Sequence, residues 1–307
     1  MSKHVQHPEI LVQARRGGTI ESLHRAFAAL AAPDGEILER WGDPDMVTFW
    51  RSSAKPLQAQ AWLADGTVDH FRWGPRQLAI MSASHDGLDV QADVVRGMLD
   101  DIGLSQDDLR CDAKLKARHN CSGNHTGFLA ASVRHGWDVA TYQLPGHPAQ
   151  QAALKAFAAI TGLDVEAIPT GVDGCGIVCY ATPVTVAAST YALLPEMLPE
   201  ITAAMRAHPL LVEGPEWLDT ILMESMPGTT SKSGAEGLGC ISLPDGRGFS
   251  VKVVDGADRA MEPAAVAVLE AVLGADAVPE AVRRVGRPPI TNDAGDVVGE
   301  LLAVVPG

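Results

Sequence analysis

A serine and a lysine three positions apart are the residues of this sequence best suited to covalent chemistry. Ser52 and Lys55 share one face if the stretch that contains them begins a helix. A serine hydroxyl needs a neighbouring base to become a nucleophile, and a lysine shielded from water can be that base. The pair therefore points to acyl transfer. The alternative is a helix-capping serine followed by a solvent-facing lysine.

A second hydroxyl and a second amine are candidates for the same chemistry. Ser84 follows a helix-like segment and precedes the turn residues Asp86 and Gly87, so it also fits a plain polar helix end. Lys252 lies between two valines in a strand-like segment, where a lysine by default faces solvent. If Lys252 points into a pocket instead, burial lowers its pKa and it can pair with a serine.

Two cysteines have surroundings that differ from an ordinary apolar core. Cys121 and Cys175 stand beside glycine and polar residues. A buried thiol is the commonest state of cysteine in proteins. The alternative is a metal site in which Asp173 or a water completes the two thiolates. The five cysteines of this 307-residue chain do not suggest a disulfide framework.

Charge and hydropathy exclude several classes of partner. The formal net charge of -14 disfavours binding to nucleic acid or to an anionic membrane surface. No apolar run is long enough to span a bilayer, and the first eight residues lack the apolar core of a signal peptide. We therefore expect a cytoplasmic protein whose partner is a small molecule.

The elements that must position these residues are strands at the two ends of the chain and helices between them. Pro56 fixes the start of the helix that follows Ser52, because proline lacks an N–H and fits only the first turn. Strand patterns occupy residues 10–14, 20–31, 36–41, 46–49, 239–243, 249–254 and 297–305. Helical patterns occupy residues 57–63, 75–81, 89–102, 126–133, 148–161, 195–207, 216–223 and 261–273.

This order of elements predicts the fold class. We expect an α/β fold of the α+β type, in which early and late strands build one antiparallel sheet. The helical middle covers that sheet or forms a subdomain at about 67–165 within a single domain, 1–307. Residues 20–31 are rich in Ala and Leu, and a strand is favoured because the Pro-Asp-Gly turn after them fits a hairpin.

Longer motifs around the candidate residues resemble the class 3, rhizobial-type L-asparaginases. The matching blocks are RSSAKPLQ (51–58), SASHDG (82–87), CSGNHTG (121–127), GVDGCG (171–176), GAEG (234–237) and KVVDG (252–256). The blocks occur in the same order as in that family and cover nearly the whole chain. The resemblance implies hydrolysis of L-asparagine to L-aspartate and ammonia, on a fold similar to serine β-lactamases and serine-type glutaminases.

The resemblance also implies roles for individual residues. It makes Ser52 with Lys55, and Ser84 with Lys252, two catalytic serine–lysine pairs. Ser52 is favoured as the acylated serine because its turn exposes it.

The family's zinc-binding cysteines fall on Cys121 and Cys175. Zinc-binding members have a further lysine ligand where this chain has Asn124, and an amide is a poor zinc ligand. We therefore expect that no cofactor is required and that zinc is at most weakly or partly bound.

Charge suggests how the substrate is held, and other functions remain open. Arg51 and His125 are assigned to the substrate α-carboxylate and Asp173 to its α-ammonium. A penicillin-recognising serine hydrolase or a serine-type glutaminase is one alternative, since Ser-x-x-Lys at 52–55, Ser-x-Asn at 122–124 and Lys-Ser-Gly at 232–234 occur in that order. A non-catalytic binder of small amino acids is another, although a binder does not need two serine–lysine pairs. The expected assembly is a homodimer.

Overall fold

Strands from the two ends of the chain build the main sheet in the computed structural model, which describes residues 4–305. The strands in chain order are β1 (Val5–His7), β2 (Ile10–Arg16), β3 (Thr19–Ala31), β4 (Ile37–Trp41), β5 (Val47–Phe49), β6 (Thr170–Val172), β7 (Val178–Pro183), β8 (Thr230–Gly234), β9 (Leu238–Ser242), β10 (Gly248–Val253), β11 (Pro289–Thr291) and β12 (Val297–Val304). The sheet runs β11-β12-β2-β3-β10-β9-β8, β4 also pairs with β3, and β1 pairs with β4.

Pairing in this sheet is antiparallel except between β1 and β4, which are parallel. The predicted antiparallel sheet of early and late strands is therefore confirmed. β3 is a strand over Thr19–Ala31, as the turn after it indicated. Its second half is continuously buried because β3 lies between β10 and β4.

Helices dominate the middle of the chain. They are α1 (Lys55–Ala64), α2 (Thr67–His70), α3 (Pro75–Met81), α4 (Asp89–Asp101), α5 (Ser122–His135), α6 (Pro148–Thr161), α7 (Val184–Met197), α8 (Pro199–Ala207), α9 (Pro209–Val212), α10 (Leu218–Ser225), α11 (Met261–Leu273) and α12 (Glu280–Val285). Short 3₁₀ turns cover Arg51–Ala54, Gln106–Asp108, Lys116–Arg118, Val165–Ala167, Asp258–Ala260 and Ala275–Ala277. Within residues 4–305, no helix combines the length and apolarity needed to cross a membrane.

The chain divides into two compact units. The first comprises residues 1–48, 182–193 and 221–307, and the second comprises residues 49–181 and 194–220. The main sheet and α11 belong to the first unit, and α1 to α6 belong to the second. The expectation of one domain with a helical subdomain at about 67–165 stays a prediction.

A glycine brings α5 and α3 close together in the second unit. A Cβ added to Gly123, in the first turn of α5, would lie 2.2 Å from the carbonyl oxygen of Ile80 in α3. Backbone atoms cannot yield as a flexible side chain can. Gly123 therefore fixes the start of α5 against the end of α3, next to the segment that carries Ser84.

The first prediction compares two glycine-to-alanine changes on helices of this unit. Gly123→Ala should lower the free energy of unfolding by about 1–3 kcal/mol, because the methyl group forces α5 away from α3. Gly97→Ala, in α4 with no atom within 4 Å of the added Cβ, should instead raise it by about 0.5–1 kcal/mol. Urea denaturation of the two variants measures both values. Equal stabilities would show that the α3–α5 contact tolerates a side chain.

Candidate active site

The Lys55 amine is buried at the start of α1. Its side chain is 2% exposed. Nζ donates hydrogen bonds to Ala83 O at 2.6 Å, to Ser84 Oγ at 3.1 Å and to Cys121 Sγ at 3.3 Å. The structure thus brings together three of the residues selected from the sequence, namely Lys55, Ser84 and Cys121. The serine that Lys55 contacts by this hydrogen bond is Ser84, whereas the family resemblance pairs Ser84 with Lys252.

Ser52 lies in the 3₁₀ turn just before α1 and is partly exposed. Inside this turn the Ser53 N–H donates to Trp50 O at 3.0 Å, and the Lys55 N–H donates to Ser52 O. These two backbone donors are therefore engaged within the turn rather than free to hold an oxyanion. The pairing of Ser52 with Lys55 stays a prediction.

Ser84 is held by its own backbone and by the histidine that follows it. The Ser84 N–H donates to Val212 O at 2.8 Å. His85 Nδ1 accepts from the Gly87 N–H at 3.1 Å, so the ring proton resides on Nε2 and is donated to Ser122 Oγ at 2.9 Å. His85 was not selected from the sequence, although it lies inside the matching block 82–87.

His85 is neutral in the folded protein. Burial, reinforced by the charge of Lys55, lowers its pKa to about 3. Ser122 in turn donates its own hydroxyl proton to Ala117 O at 2.8 Å. The neutral imidazole therefore ties the Ser84 segment to the start of α5.

The residue after this histidine is anchored as well. Trp217 Nε1 donates to the two carboxylate oxygens of Asp86 at 3.1 and 3.2 Å. A Cβ on Gly214 would lie 1.7 Å from Asp86 Oδ2, so the backbone before Trp217 packs directly on this carboxylate. The segment that carries Ser84 is thus fixed on both sides.

Arg51 and Asp173 pair with one another. Arg51 Nε donates to Asp173 Oδ2 at 2.7 Å and Nη2 donates to Oδ1 at 3.1 Å, a bidentate arrangement. The backbone of Arg51 lies in the left-handed region, with φ of 49°, which is unfavourable for a residue with a long side chain. Their assignment to opposite ends of the substrate stays a prediction, and a ligand there has to compete with this ion pair.

The two candidate metal ligands are neighbours. A hydrogen bond from Cys175 and the charge of Lys55 lower the pKa of the Cys121 thiol, while the same contact and burial raise that of Cys175. Asn124 Nδ2 donates to Met81 O at 3.2 Å, and its buried Oδ1 has no partner among the described residues.

No group of three or more His, Cys, Asp or Glu side chains in residues 4–305 could hold a metal ion. Two thiols and an amide committed to a backbone carbonyl do not fit a closed zinc site, which takes four protein ligands. We therefore assign no catalytic step to a metal.

His125 lies one residue beyond Asn124 and is completely buried. Its Nδ1 is 2.6 Å from the Tyr142 hydroxyl oxygen. Burial lowers the pKa of His125 to about 4. Tyr142 lies in a loop without a recognisable motif, so nothing in the sequence singled it out.

Lys252 lies in β10 of the first unit and is buried, 4% exposed, rather than facing solvent. Its Nζ donates to Glu236 O at 2.7 Å and to Val253 O. Burial lowers the pKa of Lys252, and the charges of neighbouring acidic residues oppose this shift. Ser84 belongs to the other unit, and its pairing with Lys252 stays a prediction.

The motifs of the penicillin-recognising enzymes are divided between the units. Lys232 lies in β8 of the first unit and is completely buried, whereas residues 122–124 lie in α5 of the second. The Ser122 hydroxyl bonds to His85 and to Ala117 O, which gives it a structural role.

Comparison with known proteins identifies the family. A family model described as L-asparaginase II matches residues 12–303. The chain belongs to the L-asparaginase II family. This confirms the resemblance found in the sequence, and it supports an amidohydrolase of the asparaginase type. No curated protein sequence matches this L-asparaginase II family chain.

Solved structures that are similar to this member of the L-asparaginase II family share little sequence with it. Mglu in its native form is 14% identical with a TM-score of 0.47, over 83% of this chain and 67% of that one. Mglu in its tris and glutamate form is 13% identical with a TM-score of 0.49, over 83% and 61%. A probable glutaminase of Bacillus subtilis is 13% identical with a TM-score of 0.38, over 74% and 80%. The chain thus spans about two-thirds of the length of Mglu.

The second prediction concerns the neutral His85. An unfolded histidine takes up a proton below about pH 6.5, but folded His85 does so only near pH 3, so stability falls as pH drops through this window. His85→Gln should lower stability at pH 7 by losing the Ser122 bond. It should also make the free energy of unfolding fall less steeply between pH 6 and 4.5. One proton fewer taken up on unfolding reduces that slope by up to about 1.4 kcal/mol per pH unit.

Urea denaturation between pH 4.5 and 7 measures this slope. The control is His4→Gln, which removes an exposed histidine and should leave the slope unchanged. The same slope in wild type and His85→Gln would mean that His85 is protonated in the folded state.

Proposed function

We propose that this chain hydrolyses L-asparagine to L-aspartate and ammonia, with a serine nucleophile and a lysine base. The observation that carries the proposal is the hydrogen bond of 3.1 Å from the buried Lys55 Nζ to Ser84 Oγ. A serine beside a buried lysine is an arrangement that supports acyl transfer. Membership of the L-asparaginase II family favours asparagine as the amide.

The contact suggests a route for each proton. Lys55 with its amine deprotonated takes the Ser84 proton while Oγ attacks the carbon of the substrate's side-chain amide. The C–N bond then breaks, and Lys55 passes this proton to the departing ammonia. A water molecule next attacks the acyl ester and gives a proton to Lys55, which returns it to Ser84 Oγ. One lysine can thus act as base and acid in both half-reactions.

The assignment from sequence makes Ser52 the acylated residue instead. In that version Lys55 takes the Ser52 proton, and Ser84 with Lys252 relays a proton to the leaving amine and then activates water. The hydrogen bond from Lys55 to Ser84 favours Ser84 as the nucleophile, whereas exposure does not separate the two serines because both are partly exposed. The homodimeric assembly and the cytoplasmic location also remain predictions.

The third prediction concerns the substrate. Purified protein should release ammonia from L-asparagine at neutral to alkaline pH, because the proposed route uses a lysine as the base. L-Glutamine should be a poorer substrate by about 10- to 200-fold in kcat/KM, because one extra methylene misplaces its amide. Steady-state ammonia release from both amides, beside hydrolysis of a chromogenic β-lactam, measures this preference. Equal kcat/KM for asparagine and glutamine would contradict the specificity, and turnover of the β-lactam alone would contradict the reaction.

The fourth prediction concerns the lysine and the serines. Lys55→Ala and Ser84→Ala should each remove nearly all activity, and the double variant should be little worse, because residues that act as a unit are non-additive. Lys155→Ala, which changes an exposed lysine on α6, should keep wild-type activity.

Acid quenching during turnover, followed by peptide mapping in a mass spectrometer, locates the ester. An ester on Ser84 supports the route above, and an ester on Ser52 transfers the nucleophile to that residue. Losses that add independently would show that Lys55 and Ser84 do not function together.

A further inference from the structure

A buried hydrogen-bond donor in the second unit has no partner among the described residues. His125 Nε2 is fully buried and makes no hydrogen bond to any residue that the structure describes. Buried polar atoms are normally paired, and one left unpaired costs free energy. An unpaired polar atom on a completely buried side chain therefore indicates a ligand or a water that completes it.

The network around His125 fixes which nitrogen carries the proton. The Tyr142 hydroxyl oxygen accepts from the Arg110 N–H at 2.9 Å. The hydroxyl proton of Tyr142 then has its acceptor in His125 Nδ1, 2.6 Å away. If Nδ1 were protonated instead, the hydroxyl proton of Tyr142 would be buried without an acceptor. His125 is thus held as the tautomer with its proton on Nε2.

Cys121 connects His125 to the serine–lysine site. The His125 N–H donates to Cys121 O at 3.0 Å, and Cys121 Sγ accepts a hydrogen bond from Lys55 Nζ at 3.3 Å. Burial also keeps the ring neutral at neutral pH, since the pKa of His125 falls to about 4. The site is therefore offered a neutral N–H donor of fixed direction.

We propose that His125 Nε2–H donates a hydrogen bond to an oxygen of the amino-acid substrate, and that Tyr142 is the positioning residue that holds His125 in this tautomer. The inference rests on the proposed function, because it concerns the same site. Two groups of the substrate carry an oxygen that can accept this hydrogen bond. They are the α-carboxylate and the carbonyl of the side-chain amide.

Kinetics distinguish these two oxygens. A carboxylate is bound alike in the ground state and the transition state, so losing its donor raises KM and leaves kcat unchanged. An amide carbonyl gains negative charge as the serine attacks, so losing its donor lowers kcat. Either result supports the proposal and names the oxygen.

Three variants test the proposal. His125→Phe removes the donor and should lower kcat/KM by about 10- to 100-fold. His125→Gln retains an N–H donor and should be more active than His125→Phe. This variant also tests the proposal if His125→Phe does not fold. Tyr142→Phe leaves His125 in place but releases its tautomer, and should lower kcat/KM by a smaller factor.

A second buried histidine of the same unit provides the control. His147 Nδ1 accepts from the Ala149 N–H and Nε2 bonds to Asp138 O, both at 3.1 Å, so neither nitrogen is available to a ligand. His147→Gln should lower stability and leave kcat/KM unchanged.

Nitrogen NMR of histidine-labelled protein gives a readout that a merely structural role would not change. Wild type should show His125 protonated on Nε2, and Tyr142→Phe should show a mixture of tautomers, with the signal assigned by its loss in His125→Gln. A proton on Nδ1 in wild type would overturn the proposal. So would a folded His125→Phe variant with wild-type kcat/KM.

The same experiment separates this inference from the proposed function. If wild type releases no ammonia from asparagine, the proposed function fails, and the inference is then judged on binding. A shift of the His125 Nε2 signal on adding L-asparagine or L-aspartate would still support the donor. No shift with either compound would overturn it.

Discussion

The buried amine of Lys55 is the interaction on which the site in the second unit depends. An amine that loses water must regain hydrogen bonds from the protein, because an unpaired one is costly. Lys55 finds them on a backbone carbonyl, a hydroxyl and a thiol, which belong to two chain segments far from α1 in sequence. These segments have to converge for α1 to pack, so the contacts that bury the start of α1 also assemble the polar centre of this unit.

The positions of the other groups follow from this centre. Ser84 can meet Lys55 only if its segment is rigid, and the bonds to Val212, to Ser122 through His85, and from Trp217 to Asp86 hold that segment. Gly123 allows α5 to approach α3 closely enough to bring Cys121 beside the same amine. Side chains that are held in this way need little additional free energy to adopt a reactive geometry.

Local signals in the sequence predicted much of the fold. Helices α6 and α11 match their predicted bounds, because proline or an apolar stripe marks them clearly. No element was assigned to residues 184–194, where a mostly apolar stretch has no periodicity to read, yet most of α7 forms there. The helix expected at 195–207 is the end of α7 followed by α8. The motifs selected Lys55, Ser84 and Cys121, but not which serine the lysine meets. That contact depends on packing between segments, as does the role of Tyr142, and neither has a local signal in the sequence.

The ion pair of Arg51 and Asp173 has a consequence for the choice of ligand. Both side chains are largely shielded from water, with exposed fractions of 22% and 16%, so separating them leaves two poorly hydrated charges. A simple amine could satisfy only the carboxylate, and a simple acid only the guanidinium. A zwitterion carries both signs on one carbon and can replace both halves of the pair at once. On the proposed assignment of this pair to the substrate, the site would accept free amino acids and exclude the same amide within a peptide chain.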